Sequence, residues 1–419
     1  MIRKIGGTIL TRFLTLLGAF LIVVLNTNTL GKEGQGTIAL INFGILCILA
    51  LSNYIGGGAV VYLTPRLGIK NLVLPAYIWS ALVGLLIYFG LVFTPLANPY
   101  LIEMTVLAFL HGLFGFHMQV LIGKERIKSF NALQVIQVFS LLLFMVFFYW
   151  VQKQGTVDSF IYSMFGSFAL VFACSLAMVI RYFKSCFEVD LLRSFREILN
   201  YSKYAQTANV LQILNYRLNF LLMEKLILGS RGAIGIYSVG MYVSEAVWNV
   251  SKSLSMVQYS RISNVENAKY NQRLTRTFFK VSMAFTACVV VVLLSLPEGV
   301  YTFVFGDTFI GIKEVLYFIA PGILFNSGSV IISHYFSGVG KYKYNTLASA
   351  IGLTGTLVFG YLLITSMELS GASITFSIAM FAQFLFLMFL YGRESEARFK
   401  DLLINKQDVK LIRDQLFKK

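Results

Sequence analysis

Leu30-Gly31-Lys32-Glu33-Gly34 returns 198 residues later as Leu228-Gly229-Ser230-Arg231-Gly232, and the reading of this echo decides how the chain is built. Each copy is flanked on both sides by apolar runs of about 20 residues, the length of helix that crosses a hydrocarbon core. A second echo joins Gly123-Lys124, through Lys128 to Asn131, with Gly340-Lys341, through Lys343 to Asn345. One short glycine motif says little, because glycine ends many helices. Two echoes that fall at the same places in a plan of six plus six apolar runs mark a duplication.

Working outward, the same apolar texture fills the chain. Of 419 residues, 57% are hydrophobic and 13% charged, against about 25% charged in a soluble domain. An apolar excess spread over the whole length must face something other than water, which excludes an ordinary soluble enzyme. Runs bounded by charges, glycine and proline give twelve helices, at 6–29, 38–63, 72–93, 99–121, 130–151, 158–181, 202–227, 234–257, 277–296, 314–336, 345–366 and 371–391. The expected architecture is an all-α polytopic membrane protein. Residues 1–182 form an N-terminal six-helix bundle, 183–201 a cytoplasmic linker, 202–391 a C-terminal six-helix bundle and 392–419 a cytoplasmic tail. The N-terminal apolar run continues to about Leu25, too long for a signal peptide, and is read as the first span.

Charge gives the orientation. With the N-terminus in the cytoplasm, even-numbered connections and both termini collect 27 of the 35 Lys and Arg, while odd-numbered connections hold only Lys32, Lys153, Arg231 and Lys313. Such a split places both ends inside. The acidic residues divide 10 to 6, a weaker bias. The net charge of +16 is then mostly topology, and nucleic acid is not an expected partner. Arg393 to Lys419 carries Leu402, Leu403, Val409, Leu411 and Leu416 among its charges, and reads as an amphipathic helix on the inner leaflet or as a solvated tail. Because six is even, both halves enter from the same face, so the repeat is parallel and the substrate path lies between the halves.

Charges inside the membrane cost roughly 2.5 to 3.5 kcal/mol each, so those that persist are functional candidates. They are Arg12 in the first span, Arg217 and Glu224 in the seventh, and Glu245 and Lys252 in the eighth, with Lys225 near a helix end. At 100° per residue Gln206, Arg217 and Glu224 share one stripe with Asn209 beside it. Ser238, Glu245 and Lys252 form a second stripe with Asn249 close by. A hairpin turning at Arg231 would set Arg217 and Glu245 at equal depth near the midplane, where Glu245 serves as counter-ion, whether structural or opening to receive an anion. Arginine suits a diphosphate, since its planar fork donates several hydrogen bonds and keeps its charge.

Other residues carry plainer readings. His111, His117 and His334 are expected to be packed and hydrogen-bonded rather than metal ligands. Asn26, Asn53, Gln119 and Asn326 line a wet cavity or bond between helices. Gly56, Gly57 and Gly58 with Pro65 soften the second span. The four cysteines, Cys47, Cys174, Cys186 and Cys288, have no disulfide or metal spacing. No phosphate-binding GxxxxGK[ST] or GxSxG nucleophile motif is present, and no loop is long enough for a catalytic domain. Transport rather than catalysis is the expectation, with no cofactor beyond a coupling H+ or Na+.

Leu30 to Gly34, the run Leu228-Gly229-Ser230-Arg231-Gly232-Ala233-Ile234-Gly235-Ile236-Tyr237 and Val304-Phe305-Gly306-Asp307-Thr308-Phe309 resemble the polysaccharide transporter family. These are the Wzx-type O-antigen flippases of the multidrug/oligosaccharidyl-lipid/polysaccharide flippase superfamily. The resemblance implies two six-helix bundles around a central cavity lined chiefly by helices 1, 2, 7 and 8. It also implies translocation of a polyprenyl-diphosphate-linked oligosaccharide for O-antigen (lipopolysaccharide), capsule or exopolysaccharide, from the cytoplasmic to the periplasmic leaflet of a bacterial inner membrane. Membrane lipids and the polysaccharide polymerase and chain-length machinery are the implied partners. Substrate-binding candidates are Arg12, Arg217, Lys252, Asn209 and Asn249, and coupling or counter-ion candidates are Glu245 and Glu224. A cation-coupled exporter of the multidrug and toxin extrusion type shares the fold and is the alternative, although drug cations call for acidic rather than basic cavities.

Overall fold

The computed structural model describes residues 2–94, 98–183, 190–265 and 267–395, with side chains from Thr11 onward. Cys186 and the tail from residue 396 lie outside the described residues. Everything else is helix and turn: α1 (Ile2–Gly56), α2 (Ala59–Leu67), α3 (Lys70–Leu91), α4 (Leu101–Gly123), α5 (Ile127–Val146), α6 (Val157–Val179), α7 (Leu191–Leu226), α8 (Arg231–Ser263), α9 (Ala268–Ser295), α10 (Glu298–Phe305), α11 (Ile312–Gly338) and α12 (Tyr342–Ser395). Non-helical residues at Gly31 and Glu368 divide α1 and α12 into two spans each. Setting aside the short α2 and α10, twelve helices of membrane length result among the described residues, the number read from the sequence.

Helix ends depart from that reading where a polar stretch is helical. The side chain of Asp190 accepts from the Arg193 N–H at 3.0 Å and starts α7 at Leu191, within the stretch read as linker. Asn267 likewise accepts from the Tyr270 N–H at 3.0 Å and starts α9 nine residues early. Side-chain caps satisfy donors that a helix leaves orphaned. An apolar-run search cannot see such turns, because they stand beyond the hydrocarbon.

The chain divides into two compact units. One runs up to Ser238 and includes Tyr301–Ile310; the other comprises Val239–Val300 and the chain from Gly311 onward. The first has a core built on Ile41, Leu72, Leu107, Val120, Leu133 and Val171. The second centres on Ile331, Ile332, Phe336, Ala348, Leu387 and Tyr391. Lipid gives no hydrophobic drive between helices, so small and hydroxyl residues collect at their contacts. On α6, Ser159, Ser163, Ser167 and Ser175 are all buried, and Ser140 and Ser167 hydroxyls meet at 2.8 Å. On α12, Ser377 accepts from the Gly322 N–H at 3.0 Å and donates to the Phe318 carbonyl at 2.6 Å. Large apolar side chains such as Phe93, Leu143, Trp150 and Phe303 face outward instead.

The duplication is written in the backbone. Gly31 (φ 64°) and Gly229 (φ 67°), 198 residues apart, both adopt the left-handed conformation that glycine tolerates. The second echo also exists, in a different register. Lys124, Glu125 and Arg126 donate main-chain bonds to Val120, Ile122 and Leu121, and Val339, Gly340 and Lys341 donate to Tyr335, Ser337 and Phe336 in the same pattern. Glu125 (φ 54°) therefore matches Gly340 (φ 78°), an offset of 215 residues. The Gly123-Lys124 with Gly340-Lys341 pairing read from the sequence is two residues out. Lys153 (φ 55°) and Glu368 (φ 49°) fall at the same offset of 215. The growth from 198 to 215 means 17 extra residues between these markers in the second copy, in the region that contains α10.

Candidate functional site

Helix α7 carries the site because it interleaves polar and apolar residues, where α3 to α6 are almost wholly apolar. Arg217 is 9% exposed, and among the described residues it is the one Asp, Glu, Lys or Arg that is buried. It lies nine residues before the end of α7 at Leu226, about 14 Å by helical rise, which is half the hydrocarbon thickness. Its guanidinium carbon sits 5.5 Å over the ring of Phe220. That ring meets Tyr237 edge-on at 5.5 Å, and Asn219 donates to the Tyr237 hydroxyl at 3.0 Å. Asn215, Asn219 and Phe220 are each about 1% exposed. A buried cation is thus held against a wall of amides and aromatic rings, nine residues from the end of its helix.

The other candidates divide between the two units. Arg12, Asn209 and Glu224 fall in the first unit with Arg217, whereas Glu245, Asn249 and Lys252 fall in the second. Arg12 and Asn209 are exposed on α1 and α7. Gln206 donates to the Ala50 carbonyl at 2.8 Å, and Ser202 to the Tyr54 carbonyl at 2.6 Å, so this end of the α7 stripe holds α7 against α1. Glu224 takes an ion pair with Arg231 at 2.7 Å and accepts from Ser230 at 3.0 Å. It clasps the helical turn. Ser238 donates to the Gly235 carbonyl at 2.8 Å and accepts from Gln35 at 3.2 Å, a packing role. Glu245 and Asn249 are half-buried on α8, and exposed Lys252 places its ammonium 5.8 Å from the ring of Trp248. Trp248 in turn stacks on Phe376 at 6.0 Å. With the turn at residues 227–230 rather than at Arg231, Glu245 lies fourteen residues into α8, about 21 Å along it.

The histidines and the buried amide are absorbed in packing. His117 bonds Tyr77 and Ser175, both at 2.7 Å, and His334 contacts the Val330 carbonyl at 2.8 Å. His111 stacks on Phe168 at 4.5 Å. Asn26 accepts from the Tyr149 hydroxyl at 2.8 Å.

Sequence reasoning missed how the three quoted motifs assemble. Asn28 donates to the Val304 carbonyl at 2.9 Å, and Gly31 faces Thr308. Arg231 reaches Thr37 at 3.2 Å. Gly36 lies against the carbonyl of Arg231, and Gly235 against the carbonyl of Lys32, each so close that a Cβ could not fit. The second half of α1 and the start of α8 thus cross main chain to main chain, with Val304–Thr308 closing the side. Glycines four residues beyond Lys32 and Arg231 were the available signal. Only a structure shows that they face one another.

No family model matches the chain. A capsular polysaccharide biosynthesis protein, CapF of Staphylococcus aureus, is 25% identical over 235 residues, which cover 54% of this chain and 59% of that protein. The chain thus spans less than two thirds of that relative's length. Among solved structures, an inward-facing multidrug resistance MATE family transporter of the MOP superfamily aligns with a TM-score of 0.72 at 16% identity, covering 91% of this chain and 94% of that one. The lipid II flippase MurJ in its inward closed conformation aligns equally well, with a TM-score of 0.72 at 16% identity over 96% and 89% of the two chains. A multi-pass membrane protein with the helical transporter fold of MOP superfamily structures is what these residues build.

Proposed function

We propose that the chain is a flippase that carries a polyprenyl-diphosphate-linked oligosaccharide from the cytoplasmic to the periplasmic leaflet of a bacterial inner membrane, with both termini in the cytoplasm. The observation that carries this reading is Arg217, the buried cation of α7. A fixed positive charge at midplane depth lowers the barrier for a diphosphate that would otherwise cross hydrocarbon unpaired. Likeness to a lipid II flippase in fold and to a capsular polysaccharide biosynthesis protein in sequence supports the same direction. In this reading Lys252 and Arg12 are further cations for the anionic carrier, Asn209 and Asn249 meet sugar hydroxyls, and Glu245 couples the cycle to H+ or Na+.

The test is lipid analysis of a deletion strain, in which diphosphate-linked glycan should accumulate on the inner leaflet. Complementation with Arg217→Ala should leave the protein in the membrane and surface glycan absent. Normal surface glycan with this variant would refute the assigned role. The second reading, a cation-coupled small-molecule exporter, draws on the equal fit to the multidrug transporter. Drug resistance that falls on deletion, with no stalled lipid-linked glycan, would favour it.

A further inference from the structure

A cleft of about 610 Å³ opens within the first unit, between the second half of α1, the end of α3, the start of α4 and the end of α7. Its wall is apolar along Phe43, Cys47 and Ile48 of α1 and along Leu214, Leu218 and Leu221 of α7. Its charged residues, Glu224, Lys225 and Arg231, stand together at the end beside the α7–α8 turn. From Leu214 to Lys225 the cleft follows α7 for about 16 Å. One leaflet of hydrocarbon is about 15 Å deep.

This is the chemical profile of a single lipid: a headgroup-level charge above a slot as long as one leaflet. Lys225 and Arg231 stand at the rim beside Glu224. Arg231 spends one N–H on Glu224 and one on Thr37, leaving three of the five donors of its fork for an anion. Lys225 is exposed beside it. We propose that the cleft is a binding site for one anionic phospholipid, its phosphate at Lys225 and Arg231 and one acyl chain along Leu214 to Leu221. Residues assigned to the translocated cargo do not line it, except for Glu224 at the rim, so the site stands or falls separately from the transport reading.

Cys47 inside the cleft provides the readout. In full-length protein with Cys174, Cys186 and Cys288 changed to Ala, the rate of N-ethylmaleimide reaction at Cys47 is measured in detergent, with and without added lipid. Phosphatidylglycerol should slow the reaction about tenfold and phosphatidylcholine less than about twofold. Lys225→Gln should erase most of that difference. Leu218→Trp, which fills the slot, should abolish retention of phosphatidylglycerol by native mass spectrometry while the protein remains monodisperse. Equal protection by both phospholipids, protection by neither, or protection by polyprenyl phosphate alone would overturn the proposal, as would an unchanged preference in Lys225→Gln.

Discussion

Alanine at Gly36 is the sharpest probe of how the turn end of the protein is closed. Its Cβ would fall well inside 3.0 Å of the Arg231 carbonyl, a separation real Cβ atoms do not show, and the obstacle is main chain, which cannot rotate aside. The two helices must separate by an ångström or more. Overpacking of this kind costs about 1 to 3 kcal/mol, which shifts a two-state equilibrium about 5 to 150-fold away from the closed crossing. Gly235→Ala meets the Lys32 carbonyl in the same way and should cost the same. Since one separation relieves both clashes, the double variant should cost little more than either single one, a strongly non-additive result. The assay is alkylation of Gln35→Cys, at a position 1% exposed and bonded to Ser238 in the wild type. Its rate should rise at least about fivefold in each alanine variant. Unchanged rates in both, or fully additive losses of thermal stability, would show that the backbones do not bear on each other as described.

Other expectations are more local. Glu224→Gln removes a half-exposed ion pair with Arg231 and should lower stability by about 0.5 to 1 kcal/mol, less at high salt, measured as a fall in Tm. Tyr77→Phe leaves a buried His117 nitrogen without its donor, at a cost of about 1 to 3 kcal/mol by the same measurement. Outside the spans, the Lys341 ammonium hydrogen-bonds Glu394, holding that carboxyl below its usual range, and Glu394 holds Lys341 above its own. The carboxylate's share of stability is present above the ordinary carboxyl value of 4.5 and lost as pH falls through its lowered one; the ammonium's share is present below 10.5 and lost as pH rises through its raised one. Thermal stability should therefore fall more steeply below pH 4.5 in the wild type than in Lys341→Gln.

Most spans were legible because a hydrocarbon solvent demands long apolar runs, and α3 to α6 begin and end within a few residues of where those runs do, whereas α7 and α8 are interrupted by polar and charged residues. The first echo was legible for a related reason: only glycine fits the left-handed turn at Gly31 and Gly229 without strain. The second misled by two residues because Glu125 occupies the turn position where Gly340 stands, so identity pointed one way and hydrogen bonding another. Within the site, helical angle set Gln206, Arg217 and Glu224 on one stripe, and Arg217 is buried, but angle alone does not say which group meets each of them. Gln206 shares that stripe and is spent on the Ala50 carbonyl, while Glu224, far along it, turns to Arg231. Periodicity reports which way a side chain points from its own axis. Its partner is a property of another helix.

A crossing built from main chain has a consequence for the membrane potential. Where Gly36 and Gly235 meet opposing carbonyls, backbone lies against backbone and leaves no room at those two points for a water or a small ion, with the charged side chains of Lys32 and Arg231 set beside the contact. Moving one charge across a membrane held at 100 mV is worth about 2.3 kcal/mol, and a membrane protein that seeped ions at such a crossing would drain that store continuously. A block made by main chain is itself indifferent to pH. Glycine at these two positions makes this crossing a better insulator, a property separate from whatever activity the chain performs.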